Sequence, residues 1–195
     1  MNLALFDFDG TITNRDTMLD FNKYVNGKSN HAKALTFTLP SFLLYKIGIL
    51  KSDIPKVRYL KSSFKGKTAE ELASLAQAYC NEMSSEIVRP SALKALKEHI
   101  EKGDRVIIVT GGCKVWVEPF ATSWNVELIA SEMLFENGIC SAKLTGPNNV
   151  AHEKVVRIKN HLDPSQYDSI IAYGDTGNDK AMLSFADQAH YRIFQ

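Results

Sequence analysis

Three short apolar runs constrain the fold of this 195-residue chain more than any other feature of its sequence. LALF at 3–6, RVIIVT at 105–110 and SIIAY at 169–173 lack the alternation of a strand with one wet face. A strand without a polar face must be covered on both sides, as parallel strands joined through helices are. The intervening segments supply the helices. Pro90 stands at a first helical position, Leu93, Leu96 and Ile100 share one face, and Gly103 closes the turn. Further helices are expected over 116–123, where Trp116 and Trp124 should pack, and over 150–162, with Val155, Ile158 and Leu162 on one face. A strand at 126–133, a hairpin turning at Asn137 and Gly138, a short helix opening near Asn178 and a last strand over 189–194 complete the pattern. The fold class expected is α/β, with a parallel-sheet Rossmann-like core built from residues 1–15 and 89–195.

Residues 16–88 read differently. They carry no strand pattern, and Thr68 with Glu71 forms a capping-box signature ahead of Leu72, Leu75, Ala76, Tyr79 and Met83 at helical spacing. An inserted α-helical cap is therefore expected, leaving the core near Asn14 and returning at Pro90, over the site. Its most apolar stretch, ALTFTLPSFLLYKIGIL at 34–50, is interrupted by Pro40, Ser41, Lys46 and Gly48 and falls short of about 18 clean apolar residues. A helix packed on other helices, with one apolar face exposed, is expected in place of a transmembrane span.

Composition narrows the partners. Lys and Arg number 23 against 22 Asp and Glu, so the net charge of +1 leaves no footprint for nucleic acid. Cys80, Cys113 and Cys140 share no CxxC spacing, which argues against a disulfide framework or a zinc site, and no His stands near Cys113 to make it a catalytic thiol. With no basic region followed by a long apolar run before Asp7, a cytoplasmic location is expected.

Ligands of a parallel sheet bind at the carboxyl ends of its strands. Asp7 and Asp9 follow the first run, Thr110 ends the second, and Asp175 follows the third with Asp179 close behind. Four carboxylates brought together repel one another unless a cation lies among them, and an all-oxygen donor set selects Mg2+. Magnesium shares its shell with phosphate, so phosphoryl chemistry follows. One carboxylate can attack phosphorus and a second can move the proton. Thr110 with the Gly111 and Gly112 amides can receive the developing charge, and Lys154, at a helix start, is a candidate cation.

DFDGT, VTGG, the lysine of AHEK and GDTGND, in that order, resemble the four motifs of the haloacid dehalogenase superfamily of aspartate-nucleophile phosphatases. GDTGNDKAML and the helical insertion after the first motif resemble its phosphoserine phosphatase-like branch. The resemblance implies a magnesium-dependent phosphomonoester hydrolase with Asp7 as nucleophile and Asp9 as acid/base. It implies metal ligation by Asp7, the Asp9 backbone carbonyl and Asp175, with Asp179 orienting the metal shell or Lys154. Thr110 and Lys154 would hold the phosphoryl group, and Asn178 would contact it. Asp16 stands near the place of a glutamate that receives the substrate ammonium in phosphoserine phosphatases, and Arg58 is a candidate for its carboxylate. The substrate expected is a phosphorylated small molecule. A lipid phosphate stays open, because Leu35, Phe37, Leu39, Phe42, Leu43, Leu44 and Tyr45 make the cap greasy and a branch member that hydrolyses phosphatidylglycerophosphate has a similar stretch. Two other readings also stay open: a catalytically silent phosphate-binding protein, and a phosphomutase. His152 could touch substrate or simply open its helix to water.

Overall fold

The computed structural model describes residues 1–195. Five strands form one parallel sheet: β1 (Leu3–Phe6), β2 (Arg105–Cys113), β3 (Glu127–Ser131), β6 (Ile170–Gly174) and β7 (Gln188–Tyr191), in the order β3-β2-β1-β6-β7. β1 is central, pairing with β2 from Leu3 opposite Arg105 and with β6 from Leu3 opposite Ile170. The continuous apolar runs explain this placement, since both faces of the sheet are covered. Leu3, Leu5, Ile107, Val109 and Ala172 pack on one side with Ile158 of α6 (His152–His161) and Met182 of α7 (Lys180–Phe185). Ala4, Phe6 and Ile108 face the other side, with Leu96 of α4 (Pro90–Glu101) and Trp116 of α5 (Lys114–Ser123). The chain has the α/β architecture that its sequence leads one to expect.

Three helices lie between β1 and β2 in the chain: α1 (Thr17–Lys46), α2 (Asp53–Phe64) and α3 (Ala69–Ile87). α1 is two helical pieces, because Gly27 breaks it with φ 75° and ψ 166°. The chain crosses between sheet and helices through a paired double strand, where Thr13 bridges Val88, Asn14 donates to the Ile87 carbonyl at 2.8 Å and Arg89 to that of Ile12 at 2.8 Å. Thr68 caps α3 by accepting from the Glu71 amide at 3.0 Å, but Glu71 turns its carboxylate to Lys67 at 2.6 Å, leaving the box half made.

Several expected boundaries shift for identifiable reasons. The run 126–133 is split: its first part pairs with β2, whereas Met133 opens a separate hairpin of β4 (Met133–Glu136) and β5 (Ile139–Leu144) turning at Asn137–Gly138. That hairpin docks on the helical insertion through bonds from Gly66 to the Cys140 carbonyl (3.1 Å), from Cys140 back to Lys67 (2.8 Å) and from Ala69 to Gly138 (2.8 Å). The last strand stops at Tyr191 because Arg192 adopts a left-handed φ of 57° and directs its Nε to the Asp175 carbonyl. Trp116 is fully buried and stacks on Phe21 of α1 at 5.6 Å between ring centroids, with Phe64 of α2 at 6.0 Å. It therefore joins the insertion to the sheet side of the molecule instead of packing its own helix alone.

Candidate active site

Strand β1 delivers Asp7 to the carboxyl edge of the sheet, and the loop Phe8–Ile12 turns there through Gly10 at φ 84°. Only glycine fits this turn, since a Cβ at Gly10 would lie 2.4 Å from Asp175 Oδ2. Strand β6 brings Asp175 alongside, and the turn after it returns Asp179 so closely over Gly174 that a Cβ there would sit 2.6 Å from the Asp179 Cβ. Carboxylate oxygens of Asp7, Asp175 and Asp179 consequently fall within 4.8 Å of one another, all buried.

Lys154, 1% exposed near the start of α6, answers part of this charge. Its Nζ donates to Asp7 Oδ1 and to Asp179 Oδ1, each at 2.6 Å. Asp179 Oδ2 accepts from the Asp175 amide (3.2 Å), the Thr176 amide (2.9 Å) and the Thr176 hydroxyl (2.9 Å), so Asp179 is held by four donors in all. Burial opposes its ionisation, yet Lys154 and Thr176 outweigh burial and hold it below the usual carboxylate range. Lys154 in turn stays protonated, because Asp7 and Asp179 overcome the cost of burying it. Asp7 and Asp175 are less well served. Burial pushes Asp7 up to about 7 against the pull of Lys154, and burial followed by the neighbouring Asp179 raises Asp175. Only long bonds reach the remaining oxygens: Thr11 Oγ1 to Asp7 Oδ2 (3.2 Å) and to Asp175 Oδ1 (3.3 Å), and Gln195 Nε2 to Asp175 Oδ2 (3.4 Å). This under-satisfied, all-oxygen pair fits a hard divalent cation, whose arrival would favour both charged forms.

Asp9 stands apart from that trio. Its Oδ1 is taken by the amide (2.7 Å) and hydroxyl (2.5 Å) of Thr17, the first residue of α1, and its carboxylate lies outside the acidic trio. Burial, reinforced by Asp16, pushes its carboxyl up to about 8, which lets it carry a proton near neutrality. Thr110 is fully buried, and its hydroxyl accepts from the Gly112 amide at 2.9 Å. The register of β2 against β3 shifts between Thr110 and Cys113, and this bulge turns Gly111 and Gly112 to the cavity. Asn178 is exposed at the cavity wall, while Asp16 lines it and caps α1 by accepting from the Leu19 amide at 3.1 Å. Arg58 lies on the exposed face of α2 away from the cavity, and His152 is exposed and also outside it.

Four contributors escape the sequence reading. Lys56 of α2 is buried, and its Nζ donates to the Gly111 carbonyl and to Asn148 Oδ1, the latter at 2.7 Å. It lines the cavity, which Arg58 on the same helix does not. Asn148 is also held by Ser131 Oγ at 3.0 Å, and its amide donates to Asp53 Oδ1 at 3.2 Å, so the loop before α6 grips the start of α2. The PNN triplet at 147–149 and the Asp-Thr pair at 16–17 are turn and cap signals that could have flagged Asn148 and Thr17, and Thr11 closes the DFDGT motif, whereas nothing local marks Lys56. The cavity measures about 910 Å³ and extends from Asp7 and Lys154 to Leu35, Leu39 and Phe42 of α1.

The chain is similar to known proteins in sequence and in fold. The chain is 31% identical over 195 residues to Protein CicA of Caulobacter vibrioides, covering 99% of this chain and 86% of the relative. A Bordetella pertussis Tohama I protein of unknown function superposes with a TM-score of 0.83 at 22% identity, over 95% of this chain and 86% of that one. A substrate-bound phosphoserine phosphatase complex superposes with a TM-score of 0.71 at 18% identity, over 97% and 84% of the two chains. The model of haloacid dehalogenase-like hydrolases matches residues 4–184, and with the strand-end acids in their places the chain belongs to that family.

Proposed function

We propose that the protein is a magnesium-dependent phosphomonoesterase that works through a phospho-aspartate at Asp7. The observation that carries the reading is the division of labour among its acids: Asp7 and Asp175 under-satisfied beside each other, Asp179 held by four donors, and Asp9 held separately by Thr17. Asp7, Asp175 and the Asp9 backbone carbonyl would hold Mg2+, which when bound draws charge from the phosphate oxygens. Asp179 positions Lys154 through its Oδ1, while its Oδ2 is held by the Asp175 and Thr176 amides and the Thr176 hydroxyl, so it orients the site around the metal. Lys154, Thr110 and the Gly111 and Gly112 amides would hold the phosphoryl oxygens, with Asn178 at the rim. Asp7 attacks phosphorus and displaces the ester oxygen, to which Asp9 gives its proton. Asp9 then takes a proton from water as that water attacks the phospho-aspartate, releasing inorganic phosphate and restoring Asp7.

The cap and the hairpin would screen these steps from bulk water. Lys56 provides a cation beside the glycine amides and is better placed than Arg58 for a second anionic group of the substrate. The apolar wall of Leu35, Leu39, Phe42 and Tyr45 favours an ester carrying a hydrocarbon portion, which keeps a lipid phosphate alongside small phosphorylated metabolites. Three unpaired, buried cysteines favour a reducing compartment such as the cytoplasm.

Phosphate release from an aryl phosphate tests the reading. Turnover should require Mg2+, vanish in Asp7→Asn and yield free phosphate. Binding of a phosphorylated ligand without release over hours would support a silent phosphate binder, and isomerised sugar phosphate in a coupled assay would support a mutase.

A further inference from the structure

One region of the molecule has no internal explanation. From Ala34 to Leu50 the only charged residue is Lys46, and this part of α1 buries small or polar side chains, Ala34, Thr38 and Ser41, while its large apolar ones face outward. Phe37 is 77% exposed, Ile47 70%, Ile49 65% and Leu43 56%. A contiguous row of large apolar side chains belongs in a core or in lipid, and here it is left uncovered. Charge singles out the same region. Residues 21–69 carry nine Lys and one Arg against a single acid, Asp53, whereas the rest of the chain carries 13 basic residues against 21 acids. Lys28, Lys33, Lys46 and Lys51 all lie exposed around the apolar stretch.

We infer that this arm docks on the surface of an anionic lipid bilayer, seating Phe37, Leu43, Ile47 and Ile49 among the acyl chains and the four lysines at the headgroups. Apolar side chains ringed by lysine, with Asp53 the single acid of the region, match that surface in both hydrophobicity and sign. No helix here is long and apolar enough to cross a membrane, so the contact is interfacial. A second copy of the chain is a poor occupant, since it would bring two basic regions together. A protein partner is poorly matched too, because protein hot spots favour Trp, Tyr and Arg, and the large apolar side chains exposed here are Phe, Leu and Ile. Leu35, Leu39 and Phe42 on the adjoining stripe line the catalytic cavity, so docking would set the cavity beside the lipid. The inference does not depend on the reaction proposed above.

Flotation of the full chain with phosphatidylcholine vesicles, with and without about one third phosphatidylglycerol, tests it. Flotation is expected with the anionic vesicles and should fade as salt rises. Phe37→Ser, Leu43→Ser and Ile47→Ser should each weaken binding about tenfold, and Lys28→Gln or Lys33→Gln about fivefold each. Far-UV circular dichroism and aryl phosphate turnover of these variants should match the parent, showing that they fold. Absence of flotation by the parent at low salt overturns the inference. So does binding that survives both sets of substitutions, or a dimer that the apolar variants convert to monomers without any flotation, which would assign the face to a second copy. Failure of the phosphatase reading would show as missing phosphate release and leave flotation unchanged.

Discussion

The carboxyl edge of the sheet and the outer half of α1 both concentrate charge of one sign, and they treat it in opposite ways. At the sheet edge Asp7, Asp175 and Asp179 are buried, and Lys154, Thr11, Thr176 and backbone amides are directed at them. Around α1 the lysines are exposed and no acid answers them. Buried charge has to be balanced from within, so its partners are visible in the coordinates, and what remains under-satisfied, Asp7 and Asp175, identifies where a cation fits. Exposed charge is balanced by water and salt, and its partner lies outside the molecule.

The sharpest way to break this contrast is at Asp7. Asp7→Asn should lower phosphate release by about 10⁴-fold or more, since an amide is a poor nucleophile and removes a charge from the cation site; turnover within tenfold of the parent in a stopped assay would place the chemistry elsewhere. Chelation of divalent cations should come next, reducing release about 10³-fold with recovery on adding Mg2+. Lys154→Met should then cost about 3–5 kcal/mol in urea unfolding, because Asp7 and Asp179 lose a buried counter-charge. Magnesium should raise the melting temperature of that variant more than that of the parent, as the ion replaces part of the missing positive charge. Lys56→Met removes two charge-assisted bonds and a cation from the cavity, and should lower kcat/KM by about ten- to a hundredfold, chiefly through KM. At the other extreme, Phe37→Ser should shift stability by less than about 0.5 kcal/mol and leave aryl phosphate turnover unchanged. If that exposed change costs as much as Lys154→Met, the arm is covered within the molecule and the contrast fails.

Legibility in the sequence follows the same division. The sheet could be read because LALF, RVIIVT and SIIAY admit no other burial, and the acids because each follows a strand end. Lys56 was missed because its partners, the Gly111 carbonyl and Asn148, are more than 50 residues away and no spacing connects them. The hairpin at 133–144 was assigned to the core by its position in the chain, although it binds Gly66, Lys67 and Ala69 of the insertion. Asp9 could be seen as an acid near the site, but not that Thr17 would hold its Oδ1 at the start of α1. Local pattern encodes strands, caps and turns, while contacts between distant segments depend on how finished elements meet.

The burial of Trp116 against Phe21 and Phe64 bears on which parts of the molecule can move. A single cluster of 26 residues runs from Phe6 and Ile108 in the sheet through Trp116 to Phe21, Phe64 and Tyr79 in the insertion. Sheet and helix bases are thus one cooperative unit, and lifting the whole insertion would expose that shared core. Local opening is therefore expected in the part of α1 beyond Gly27 and the turn at Gly48, where few side chains are buried. Amide hydrogen exchange should divide there, with protons of residues 28–50 lost through local opening and those of α3 and β1 released only when the entire molecule unfolds.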